Sequence, residues 1–178
     1  MVRTRVGYGG GQAASPTYQN IGDHTETLQI DYDPTLISYG QLLGIFWKSH
    51  EPTSRSTSRQ YMKAVFYHNE QQREQAMDSK LAVEDKNGTI VRTEIVPIRS
   101  FTMAEDYHQK FTLKGHKGLK KEIMRIYPRH QDIVDSTAAA RLNGYVGGHG
   151  SRDQLSMEIK SLGLSAEAEK ILADMVRK

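Results

Sequence analysis

Tyr18 and Glu26 lie eight positions apart in a polar stretch, Pro16-Thr17-Tyr18-Gln19-Asn20-Ile21-Gly22-Asp23-His24-Thr25-Glu26, between a run of glycines and an alternating segment. A phenol and a carboxyl that converge on one spot form a combination suited to proton transfer. The plain alternative is that Tyr18 packs and Glu26 is a surface charge at the entry to a strand. Other chemistries find less to work with. The chain has seven histidines but no cysteine. No two histidines form a helical i, i+4 pair around a glutamate, and His24-x-Glu26 alone supplies too few ligands for a metal. No Gly-x-Ser-x-Gly elbow occurs, and thiolate chemistry and disulfides are outside the reach of these residues. Spacing alone does not single out a pair of carboxylates for glycoside chemistry. Gly7-x-Gly9 would need a third glycine at position 12, which is Gln12, and no helix follows. The Gly9-Gly10-Gly11 run therefore reads as a turn that lets another backbone approach, not as a phosphate cradle.

The elements that must position Tyr18 and Glu26 can be read from periodicity. Val2 to Tyr8 alternates and reads as a strand, and Thr25 to Tyr32 is a second, with Leu28, Ile30 and Tyr32 on one face. Ser38 and Gln41 form a capping-box pattern. The helix they open carries Leu42, Leu43, Phe46 and Trp47 on its core side and stops near His50, before Pro52. A Ser/Thr/Arg-rich loop leads to a strand over 60–68. Asn69 caps a helix to about Lys86, and Asn87-Gly88 turns into a strand over 89–96. Thr102 to Glu105 has a second capping-box pattern and predicts a short helix through Phe111. A basic helix spans about 116–127, a further helix 133–142, and Asn143 to Gly150 reads as a glycine-rich hinge. Two short amphipathic helices close the chain, one stopped by Gly163 and one starting at Ser165. The order strand, strand, helix, strand, helix, strand predicts an α+β sandwich with helices packed on a sheet.

At 178 residues, 37% hydrophobic and 25% charged, the chain is long and apolar enough for a folded domain with a helical appendage. No apolar stretch approaches the ~20 residues that span a bilayer, so the default compartment is the cytoplasm. The net charge of +3 is mild. The basic excess is local: seven Lys or Arg fall between Lys110 and Arg129 against one acid, Glu122. Such a run reads as a solvated helix face. It also leaves open nucleic-acid binding through residues 110–129, which would fall steeply with salt and with neutralisation of Lys120 and Lys121.

Several blocks together carry a family resemblance. They are Val6-Gly7-Tyr8-x-Gly10-Gly11, Pro16-Thr17-Tyr18, His24-Thr25-Glu26, Tyr32-Asp33-Pro34, Ile37-Ser38-Tyr39-x-x-Leu42-Leu43, Phe46-Trp47-x-x-His50-x-Pro52-Thr53, Gln60-Tyr61 and Ala104-Glu105-Asp106-Tyr107-His108-Gln109. In this order they resemble the A-type peptide methionine sulfoxide reductases over roughly residues 1–111. Ala140-Arg141-Leu142-Asn143-Gly144-Tyr145 resembles the tail of one branch of that family. The resemblance implies a ferredoxin-like α/β sandwich over 1–111 with a helical extension over 112–178. It implies reduction of the S-epimer of methionine sulfoxide, free or in proteins, by a cysteine or selenocysteine nucleophile. No bound cofactor is implied; a thioredoxin or another thiol regenerates the enzyme. By the same resemblance Tyr18 and Tyr61 hydrogen-bond the sulfoxide oxygen, Glu26 protonates it, and Asp106 and His108 belong to substrate binding. Because the oxygen leaves as water, a positioned acid is required, and burial of Glu26 between the sheet and the glycines would favour its protonated form.

The chain departs from that pattern where it matters most. The family's nucleophile lies in a Gly-Cys-Phe-Trp motif upstream of the Val-Gly-Tyr strand, and neither it nor the resolving cysteines have counterparts here. The aromatic pair that binds the substrate methyl group, the first strand and the first helix are missing with it. The family's Asp shortly before the second Tyr is replaced by the neighbourhood Ser56-Thr57-Ser58, and the segment from Tyr18 to Glu26 is shorter than in many members. The expectation is a shortened form of a reductase, whose upstream reading frame continues to a Gly-(Cys or Sec)-Phe-Trp motif, and which is inactive and of marginal stability as it stands. The competing expectation is a reductase-derived protein that binds methionine or its sulfoxide without turnover.

Overall fold

A computed structural model describes residues 2–176. The chain folds into two compact units. One comprises Val6–Leu28 and Tyr32–Ala104; of the described residues, the other comprises 2–5, Gln29–Asp31 and 105–176.

The first unit is α+β. Strand β1 (Arg3–Gly9), of which residues 6–9 belong to this unit, lies between β2 (Thr25–Asp31), of which residues 25–28 do, and β5 (Phe101–Met103) in a three-stranded sheet. The β1–β5 pair is antiparallel, with Gly7 opposite Met103 and Gly9 opposite Phe101. A Cβ on Gly7 would collide with the Thr102 carbonyl oxygen, so glycine is what lets these two backbones close. Strands β3 (Ala64–Tyr67) and β4 (Glu94–Pro97) form a separate parallel pair joined through a helical crossover, as parallel neighbours require.

Helix α1 (Tyr39–Lys48) opens with the expected capping box: Ser38 accepts from the Gln41 N–H, and Gln41 accepts from the Ser38 N–H. Leu43 and Trp47 are buried, and the Trp47 indole N–H donates to Ser79 of α2 (Glu70–Asn87). Asn69 caps α2, and Gly88 ends it in the left-handed conformation that glycine tolerates best. Leu43, Trp47, Val65, Ala76 and Val91 form this unit's core.

Among the described residues, the second unit carries seven short helical elements. They are α3 (Phe111–Gly115), α4 (Lys117–Ile126), α5 (His130–Asp135), α6 (Thr137–Val146), α7 (Arg152–Glu158) running into a 3-10 turn (Ile159–Leu162), and α8 (Ala166–Met175). Leu113, Leu119, Ile123, Leu142 and Leu172 sit at the centre of its core, each fully buried. The α+β class with C-terminal helices is therefore the observed one.

Several local expectations need correction. Residues 60–61 are turn and 62–63 irregular, and the strand begins at Ala64. Residues 89–93 are not strand, because their N–H groups go elsewhere: Val91 to the Glu84 carboxylate and Arg92 to the Pro52 carbonyl. The predicted helix over 102–111 is a strand followed by turns. There the pairing of Gly7 to Gly9 with Phe101 to Met103 outweighs the local capping signal. The helix predicted over 133–142 is two helices meeting at Ser136, whose hydroxyl caps the second. Residues 143–146 continue α6, so the hinge shrinks to Gly147 onward. The basic run is not uniformly solvated. Lys110 is only 4% exposed, and its ammonium donates to the Thr4 carbonyl and hydroxyl and to the Val134 carbonyl.

Candidate active site

The glycines after β1 bring the chain back against the segment that leads into β2. The Asp23 carboxylate accepts from the N–H groups of Gln12 and Ala13, and these bonds, Ala13's foremost, hold its pKa below the usual carboxylate value. His24 is 1% exposed. Its Nδ1 accepts from the Gly11 N–H at 3.2 Å, which leaves Nε2 to carry the proton and donate to the Ala13 carbonyl at 2.9 Å. A Cβ on Gly11 would come within 2.6 Å of the His24 ring and of Asp23 Oδ1. The glycine run thus admits side chains, the Thr27 hydroxyl at Gly9, the Phe66 ring at Gly10 and the His24 ring at Gly11, and not the backbone expected there. Within the loop, the backbones of Thr17 and Asn20 bond reciprocally, a tight turn with Tyr18 near its apex.

A second segment closes on the first. The Thr25 hydroxyl donates to the Arg59 carbonyl, and Arg59 Nε donates to the Asp23 carbonyl. The Glu26 N–H donates to the Gln60 carbonyl at 2.9 Å, while Gln60 Nε2 donates to Glu26 Oε1 at 2.8 Å. Gln60 therefore holds Glu26 at both backbone and side chain. The Tyr61 N–H donates to Ser58 Oγ. The Tyr61 phenol hydrogen-bonds Tyr18. That bond, followed by the charge of Tyr18, slight burial and the charge of Glu26, raises its pKa above the ordinary tyrosine value.

Tyr18, Tyr61 and Glu26 are thus neighbours in one unit, two phenols beside a carboxylate. All three are exposed, Tyr18 by 39% and Tyr61 by 51%. The burial expected for Glu26 is absent, and its Oε1 is occupied by an amide donor. Asp106 and His108 belong to the other unit. There Asp106 Oδ1 lies 3.0 Å from His130 Nδ1, and His108 Nε2 lies 3.9 Å from Glu105. Sequence reasoning missed Gln60 as a site residue, although it stands next to Tyr61; nothing in a lone Gln-Tyr pair says that the Gln reaches Glu26. Among the described residues, no group of three or more His, Cys, Asp or Glu side chains could hold a metal ion, and no helix is long and apolar enough to cross a membrane.

Comparison with known proteins decides what this cluster belongs to. The family model for Peptide methionine sulfoxide reductase matches residues 1–142. The chain belongs to the peptide methionine sulfoxide reductase family. A second model, the helical domain of selenoprotein methionine sulfoxide reductase A, matches residues 130–177. A peptide methionine sulfoxide reductase of Drosophila melanogaster is 42% identical over 167 residues, covering 93% of this chain and 67% of that protein. One from Methanosarcina acetivorans is 40% identical, covering 72% of this chain and 73% of that protein. Among solved structures, reduced Mxr1 from Saccharomyces cerevisiae superposes with a TM-score of 0.58 at 25% identity, covering 71% of each chain. Methionine sulfoxide reductase A of Corynebacterium diphtheriae gives 0.56 at 29% identity, covering 62% of each. The Tyr18–Tyr61–Glu26 cluster is therefore a feature of a methionine sulfoxide reductase family chain.

Proposed function

We propose that this member of the family handles the oxygen of methionine S-sulfoxide, free or in proteins, through Tyr18, Tyr61 and Glu26. The observation that carries the reading is the pair of hydrogen-bonded phenols beside a carboxylate that Gln60 fixes. The phenols donate to the sulfoxide oxygen, and a protonated Glu26 would pass its proton to that oxygen as a nucleophile bonds to the sulfur. Gln60 occupies one Glu26 oxygen and so directs the other toward the sulfoxide oxygen. Asp106 and His108 are assigned to substrate binding, residues 1–111 to the reductase-like part and 112–178 to a helical extension, with the cytoplasm as compartment.

Reduction also needs a thiolate or selenolate nucleophile that attacks sulfur, releases methionine and becomes a sulfenic or selenenic acid, which thioredoxin or another thiol then clears. The 178 residues contain no cysteine, and tyrosines and a carboxylate cannot take the oxygen from sulfur. That composition favours, as the second reading, a site that binds methionine or its sulfoxide without turnover. Titrating the pure protein with the S- and R-epimers of a methionine sulfoxide peptide, while following the tyrosine ring resonances, tests both. The S-epimer is expected to perturb Tyr18 and Tyr61 more strongly than the R-epimer, with Tyr61→Phe weakening the effect and no methionine formed with dithiothreitol. Equal response to both epimers would overturn the oxygen-handling role. Turnover by the pure chain would overturn the claim that its own residues lack the nucleophile.

A further inference from the structure

Within the helical unit a carboxylate, an imidazole and an amine are joined in series. Asp106 Oδ1 lies 3.0 Å from His130 Nδ1. His130 Nε2 lies 2.8 Å from Nζ of Lys114, and the same Nζ donates to the Asp106 backbone carbonyl. Asp106 stands in the turns before α3, Lys114 within α3 and His130 at the start of α5. The order of groups fixes the protons. Asp106 accepts the Nδ1 proton, so Nε2 presents a lone pair and accepts from Lys114.

A neutral amine has two N–H groups and one lone pair. Here both N–H groups have acceptors, His130 Nε2 and the Asp106 carbonyl, so the lone pair is directed away from them. Burial is the largest influence on this amine and pushes its pKa down; the charge of Asp106 opposes that and the charge of Lys120 adds to it. The neutral, nucleophilic form is therefore more accessible here than on a fully solvated lysine.

We propose that Lys114 is an acylation site for activated acyl donors, thioesters or acyl phosphates, with His130 as the proton acceptor and Asp106 as the group that orients it. The amine lone pair adds to the donor's carbonyl carbon and forms the C–N bond. The nitrogen of the adduct passes its surplus proton to His130 Nε2, and the Asp106 carboxylate stabilises the imidazolium. The bond from that carbon to sulfur, or to the phosphate oxygen, breaks, and thiolate or phosphate leaves with the electron pair. His130 then returns its proton to the leaving group or to solvent, with no change of oxidation state. The product amide keeps one N–H, so only one of the two acceptors stays satisfied, and the link from α3 to α5 is weakened.

The test is a time course of the 178-residue protein with acetyl-coenzyme A in one arm and acetyl phosphate in another, near neutral pH, with each lysine quantified by peptide mass spectrometry. Lys117, Lys120 and Lys121, exposed on α4, are internal references. Lys114 is expected to acetylate several-fold faster than any of the three. His130→Gln and Asp106→Asn are expected to slow Lys114 several-fold and leave the references unchanged. Modification in one arm alone supports the site and names its donor. A Lys114 rate no higher than the references, in both arms, overturns the proposal without any variant. An unchanged rate in His130→Gln, with the reference rates showing the fold intact, overturns the role of His130.

Discussion

Glu26 is oriented by a side chain with no charge of its own. Gln60 takes the Glu26 N–H on its carbonyl and gives an amide N–H to one carboxylate oxygen. Only the other oxygen is left to face a substrate. Losing an exposed hydrogen bond to a charged group costs on the order of 1 kcal/mol, so Gln60→Ala should weaken binding of an S-sulfoxide peptide about fivefold. Gln60→Glu, which sets a second carboxylate against the first, should weaken it further. An isothermal titration that gives unchanged affinity for both variants would remove Gln60 from the site. Tyr18 and Glu26 stood out in the sequence by type and spacing, whereas Tyr61 was legible only through the resemblance, since nothing local brings position 61 to position 18. The buried imidazole of His24 was not legible at all. Its burial follows from the fit of Gly11 against the ring, a contact made by chain return and not by any periodicity.

Helix ends were the most readable elements, because a cap is a local device: Ser38, Asn69 and Ser165 all accept from the N–H predicted by their spacing. Strand β5 was hidden for the opposite reason, since its three residues owe their conformation to β1. One helix-end contact sets an acid limit. The Glu122 carboxylate on α4 accepts from Arg125 and from the Ser165 N–H at the start of α8. The Arg125 hydrogen bond first, and the Ser165 N–H second, lower its pKa to about 2. The folded value lies below the unfolded one, so this stabilisation is complete above the ordinary glutamate range. It is lost as pH falls from 4.5 through about 2. Glu122→Gln should therefore flatten the acid side of the helical unit's stability profile, followed by helical circular dichroism in urea. It should cost on the order of 1 kcal/mol at neutral pH. A variant with the same acid slope as the parent would refute the assignment.

At the scale of the whole chain, Lys110 produces a dependence of the same sign at alkaline pH. Burial above all, with the charge of Arg5 next, lowers its pKa from 10.5 to about 8. The unfolded chain then binds more protons than the folded one between those values, so stability rises as pH climbs from about 8 to 10.5. Lys110→Met should abolish that rise, measured as urea midpoints across the alkaline range, while losing the bonds to Thr4 and Val134. A persistent rise in the variant would assign it to another group. The sequence counted Lys110 as one of a solvated run, because the partners that bury it lie far along the chain. The same distances bear on synthesis. Strand β1 is made before its late partners: the Ser100 hydroxyl that bonds the Gly11 carbonyl comes 89 positions later, and the Lys110 ammonium that bonds Thr4 comes 106 positions later. At about 5–20 residues per second, the nascent strand waits on the order of 5–20 s for them. Its unpaired edge is then open to other chains, so yield should depend on translation speed and chaperone supply as much as on the stability of the finished fold.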